Sequence, residues 1–144
     1  MYLLEYRNRS APLASGGELI VSQNVRLIGT MNTADRSIAL VDHALRRRFA
    51  FLALYPDYTL LAAYHDATGL DVEGLANVLK KLNKTIGDRH YEVGITFFLR
   101  EDLDEQIEDI WQMEIEPYLE EYFFDQPDKA KQFRWDLVKE AIGL

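Results

Sequence analysis

Asn32, Asp35, Arg36 and the triplet Arg46-Arg47-Arg48 are the residues of this 144-residue chain whose types and spacing could do chemistry. An asparagine amide carries both a donor and an acceptor. Set in advance at the edge of a cleft, it can orient an attacking water or stabilise developing charge with little reorganisation. The same amide at a strand end also serves simply to satisfy a loop N–H. Asp35 and Arg36 read either as a local ion pair that fixes the loop or as contacts to a neighbouring subunit. Arginines at a helix C terminus complement the macrodipole by about 0.3–1 kcal/mol each, which accounts for one or two of the three. Three adjacent arginines on a short helix cannot all face one way, however, and on an acidic chain they concentrate positive charge locally. A guanidinium reaching a transferring phosphoryl group supplies about 10³–10⁵ in rate, so the cluster points to a nucleotide site shared between subunits.

These residues need a scaffold, and the flanking pattern supplies one. The apolar run Val25-Arg26-Leu27-Ile28-Gly29-Thr30 predicts a buried strand over Val25–Met31. Asn32 then follows its C-terminal end, where open α/β sheets place their chemistry. Asp42 is placed to cap a short helix over His43–Arg47, and Phe49–Tyr55 reads as a second buried strand closed by Pro56-Asp57. Upstream, Ser15-Gly16-Gly17 followed by Glu18-Leu19-Ile20-Val21 predicts a hairpin. Downstream the period changes. Thr59–His65 is helical and ended by Thr68-Gly69. Val72, Leu75, Ala76, Leu79, Leu82 and Ile86 then form an apolar stripe with Asp71 as cap.

Past Gly94, Ile107, Ile110, Trp111, Ile115, Tyr118, Leu119, Tyr122 and Phe123 share one helical face. Pro117 should kink this helix or begin a new one. A last helix follows Pro127, using Phe133, Leu137, Val138 and Ile142.

Composition excludes several classes. A hydrophobic content of 48% suits one core with a satellite, and the formal net charge of −8 argues against a general duplex-binding surface. There is no cysteine, hence neither a disulfide framework nor a thiolate metal site. His43, His65 and His90 lack compact ligand spacing, so no metal site is expected and they read as ordinary surface or helix residues. No apolar run approaches the roughly 20 residues needed to cross a bilayer, and no signal pattern opens the chain, making no membrane association and a cytoplasmic location the expectation.

The string Met31-Asn32-Thr33-Ala34-Asp35-Arg36-Ser37, with Val41-Asp42-His43-Ala44-Leu45-Arg46-Arg47-Arg48-Phe49, closely resembles the sensor-1 and arginine-finger region of AAA+ NTPases of the McrB type. The resemblance begins near Leu3-Leu4-Glu5-Tyr6-Arg7 and runs almost to the C terminus, through Tyr91–Phe98 and the acidic-aromatic string Ile115–Phe124. In the former, Ile95 and Thr96 stand where relatives usually carry His and Ser, which favours packing over nucleotide contact there. The resemblance implies an α/β fold, with the C-terminal part of an AAA+ core over residues 1–56 and a mainly helical lid over 57–144. It implies Asn32 as the sensor, with Arg47 and Arg48 reaching a neighbour's site and Arg46 structural. It further implies GTP or ATP with Mg²⁺ in a homo-oligomeric ring, expected to be a hexamer. A McrC-type nuclease would be the partner, and DNA would be bound through other regions.

No GxxxxGK[ST] phosphate loop and no apolar strand ending in Asp-Glu occurs, and Lys84-Thr85 lacks the upstream glycine. The expectation is therefore the back half of an NTPase module, as a truncation or split gene product, inactive by itself. The alternative is a non-catalytic remnant that binds a partner or caps an oligomer.

Overall fold

A computed structural model describes residues 2–7, 9–31 and 47–143. The chain divides into two compact units, Met1–Ala53 and Leu54–Leu144.

The first unit holds a short helix, α1 (Tyr2–Glu5), and an antiparallel ribbon of β1 (Ser10–Pro12) and β2 (Glu18–Ile20). Ser10 pairs with Ile20, Ala11 with Leu19 and Pro12 with Glu18. The predicted hairpin is thus present, with Val21 outside it. Its turn uses Gly16 and Gly17 at φ 84° and 88°, a region that side chains with a Cβ rarely enter. The Gly16 N–H donates to the Leu13 carbonyl at 3.0 Å.

The two predicted strands, Val25–Met31 and Phe49–Tyr55, are not strands in the structure. An apolar run becomes a strand only by laddering with a neighbour. Among the described residues the β1–β2 ribbon is the one sheet, and neither segment joins it. Their side chains are accordingly exposed, Ile28 at 95%, Leu52 at 89% and Leu54 at 96%. The described chain is therefore helix-rich with a two-stranded ribbon. Asn32, Asp35, Arg36 and nearly all of the predicted His43–Arg47 helix lie outside the described residues.

The second unit is helical. Helix α2 (Tyr58–Asp66) starts at Asp57, whose carboxylate accepts from the Thr59 N–H at 2.9 Å and the Thr59 hydroxyl at 2.7 Å. Helix α3 (Glu73–Ile86) follows the predicted stripe, burying Leu75, Leu79, Leu82 and Ile86. Val72 is the N-cap residue, and Asp71, the predicted cap, stands one position before it and accepts from the Glu73 N–H at 2.9 Å. The helix stops at Gly87, left-handed at φ 71°. A 3₁₀ turn covers Ile95–Phe98.

Helix α4 (Leu103–Ile110) runs into a π turn over Trp111–Ile115 and then α5 (Glu116–Tyr122). Pro117 explains the wide turn, because it has no N–H for the Met113 carbonyl and crowds it. The Glu116 N–H instead reaches back to the Trp111 carbonyl. The turn also serves packing. In an unbroken helix residues spaced by four drift about 40° per step, yet Trp111, Ile115, Leu119 and Phe123 are all buried.

Helices α6 (Pro127–Lys131) and α7 (Trp135–Ile142) complete the unit. Helix α7 buries Trp135, Val138 and Ile142. That spacing turns Leu137 outward, 67% exposed, contrary to its predicted core role. Tyr118 and Tyr122 are half-buried because their hydroxyls reach out to the carbonyls of Tyr91 and Ile86. Helix α3 lies against α7 so closely that a Cβ on Gly74 would sit 2.4 Å from the Ile142 carbonyl oxygen. No helix among the described residues is long and apolar enough to cross a membrane.

Candidate functional site

In the first unit Arg47 and Arg48 follow one another in a turn. Arg48 donates through Nη2 to the carboxylate of Glu5 at the end of α1. With Leu4, these three residues line an open recess of about 390 Å³. The two guanidiniums differ in setting. The Arg48 side chain is 21% exposed and held by Glu5, itself 48% exposed, whereas Arg47 is exposed. An ion pair so open to water contributes about 0–1 kcal/mol to folding. Its main physical effect is to fix where Arg48 sits.

Two residues along from Glu5, Arg7 donates to the Val25 carbonyl at 2.7 Å. The stretch Glu5–Arg7 therefore contacts both Val25 and Arg48. Of the predicted site residues, the recess brings together Arg47 and Arg48. Asn32, Asp35 and Arg36 fall outside the described residues. Glu5 was not anticipated, since a partner 43 positions away leaves no local signal.

In the second unit the segment from Val93 to Phe98 is fastened at both ends. Asn83, buried on α3, donates from Nδ2 to the Val93 carbonyl at 3.0 Å and accepts the Val93 N–H at 2.7 Å. Its Nδ2 also donates to the Tyr58 hydroxyl at 3.0 Å. His65, fully buried on α2, places Nε2 2.8 Å from the Phe98 carbonyl and Nδ1 3.1 Å from the Thr68 hydroxyl. It is thus a helix residue, as expected, but one buried in the core rather than on the surface. Between the two anchors Ile95 is buried, while Thr96 and Phe97 are exposed.

The titration of this region follows its packing. Burial pushes the Tyr118 phenol up to about 12, with further help from the neighbouring Tyr122, Tyr91, Asp88 and Glu121 charges. Burial also raises Tyr58, against the hydrogen bond from Asn83. The Arg100 guanidinium donates to Asp102 from Nε at 2.6 Å and Nη2 at 3.0 Å, which holds that carboxyl below its usual range.

Comparison with known proteins finds similarities that do not depend on this geometry. A family model described as the McrB α-helical lid domain matches residues 74–131. The type IV methyl-directed restriction enzyme EcoKMcrB subunit of Escherichia coli (strain K12) is 39% identical over 132 residues, covering 80% of this chain. The chain spans 28% of that relative's length.

Proposed function

The chain is McrB-like, with the McrB helical lid over residues 74–131, and from that premise we propose that it supplies the sensor-1, arginine-finger and lid portion of an AAA+ NTPase motor. The observation that carries this reading is the combination, in one chain, of a McrB lid match with the Asn32 and Arg46-Arg47-Arg48 string N-terminal to it. Residues 1–56 are the end of the α/β core and 57–144 the lid.

In this reading the motor hydrolyses GTP or ATP in a homo-oligomeric ring, a hexamer, and works with a McrC-type nuclease in modification-dependent DNA restriction. DNA is read outside this chain. Asn32 orients the attacking water with its amide. The arginines of one subunit act in a neighbour's site, where a guanidinium offsets charge on the phosphoryl oxygens. Magnesium bound with the nucleotide would offset the negative charge of its phosphates. Among the described residues no cluster of three or more His, Asp or Glu could hold it.

The test uses a chimera in which this chain replaces the matching stretch of the E. coli subunit. Asn32→Ala should lower turnover by about 10² while nucleotide affinity stays within severalfold. Equal losses in affinity and turnover would make Asn32 a structural residue. The chain by itself should show no magnesium-dependent hydrolysis above buffer, and turnover that disappears on Asn32→Ala would contradict the division of labour proposed.

A further inference from the structure

We infer that Glu5 is a positioning residue for the arginine pair, anchoring Arg48 so that Arg47 is the guanidinium presented to a neighbouring subunit's nucleotide phosphates. The inference rests on the finger reading above and divides the pair that reading left undivided. Arg47 and Arg48 line the same recess, but only one of them is bound there by a carboxylate. Here they have separate settings: Arg48 is bound by the Glu5 carboxylate with its side chain 21% exposed, and Arg47 is exposed.

The charge distribution points the same way. Glu5 offsets the charge of Arg48 locally, so the cation presented outward beside the recess is that of Arg47. An arginine already held by a carboxylate would have to give up that partner before it could clasp a phosphoryl group. An exposed one gives up only water. Glu5 also sits two residues from Arg7, which holds the Val25 carbonyl at 2.7 Å. One short stretch therefore contacts both Arg48 and Val25. Geometry of that kind matters for rate, since a misplacement of about 1 Å can cost about 10²-fold.

In the chimera with the E. coli subunit, Glu5→Gln keeps the shape of the side chain and removes its charge. It should lower kcat by about 10- to 100-fold while KM stays within about threefold. Arg48→Glu alone should fall as far. Combining Glu5→Arg with Arg48→Glu rebuilds the pair in reverse and should recover most of the lost kcat, because Arg48 acts only through its anchor. Arg47→Ala should fall by about 10³ or more, with no recovery in combination with any change at Glu5.

Parental kcat in Glu5→Gln would overturn the positioning role. Failure of the reversed pair, with Arg48→Ala as damaging as Arg47→Ala, would show that Arg48 itself reaches the phosphates. Parental turnover in Arg47→Ala would defeat the finger reading beneath, and is recognised separately because it does not involve Glu5. The contact is also read without activity, by mass spectrometry of the chain treated with phenylglyoxal. Arg48 should be modified more slowly than Arg47, and Glu5→Gln should abolish the difference. Equal modification in the parent would refute the anchor.

Discussion

Asn83→Ala should be among the most damaging single substitutions in the second unit, although it removes only a small polar side chain. Asn83 exchanges two hydrogen bonds with the Val93 peptide, at 3.0 and 2.7 Å, deep in the helical core. Without the amide, a buried N–H and a buried carbonyl lose their partners together. Each such group costs about 1–3 kcal/mol, so about 3–4 kcal/mol in total is expected. At about 4–8 °C per kcal/mol for a domain of this size, the melting temperature should fall by about 12 °C or more. Circular dichroism of the chain measures this directly, and amide exchange at Val93 should accelerate more than exchange at Leu79. Asn83→Asp sharpens the test. The introduced carboxylate still accepts the Val93 N–H but faces the Val93 carbonyl with no donor. Its folded pKa should therefore be raised, so that stability present in acid is lost as pH rises. A melting temperature within about 3 °C of the parent for Asn83→Ala, or no pH dependence for Asn83→Asp, would refute the reasoning.

Other outcomes follow from the same packing. Gly74→Ala puts a Cβ 2.4 Å from the Ile142 and 2.5 Å from the Ala141 carbonyl oxygens. It should cost about 1–3 kcal/mol by overpacking, more than the roughly 1 kcal/mol that alanine gains in helix propensity; urea denaturation at or above the parental midpoint would contradict this. The Asp57 carboxyl is held below its ordinary 3.8 by accepting first from the Thr59 side chain and then from its backbone. Its stabilisation is present above pH 3.8 and lost as pH falls through the lowered folded value. Asp57→Asn, which caps without titrating, should flatten acid melting curves below that pH. Tyr118, pushed up to about 12 by burial, stabilises the fold below its ordinary 10.0 and loses that contribution as pH rises toward 12. Tyr118→Phe should reduce this alkaline slope, visible as a smaller tyrosinate absorbance step on unfolding, the remainder coming from Tyr58, which burial also raises.

What could be read in the sequence was what depends on neighbours along the chain. The α3 stripe and the Asp71 carboxylate that accepts from its first turn lie within one helical window, and Pro117 announces a break through its own missing N–H. The two predicted strands failed for the opposite reason. Apolar runs such as Val25–Met31 state an appetite for burial, but the partner that makes a strand is not encoded in the run. Asn83 left a usable signal, a polar residue on the buried face shared by Leu79, Leu82 and Ile86. His65 left the same signal four positions after Leu61. Glu5 left none. At the candidate site the arginine string was legible from its residue types, whereas the difference between Arg47 and Arg48 emerged only with the Glu5 contact.

The central claim, that this chain completes a neighbour's nucleotide site, is tested most directly by mixed rings of the chimera. One subunit carries Arg47→Ala with an intact phosphate loop, and the other carries intact arginines with a disabled phosphate loop. Each alone should be inactive, and activity should return at ratios that form mixed rings, because the second subunit donates its guanidinium to the first subunit's site. Mixed rings established by native mass measurement, with no return of hydrolysis, would contradict the claim.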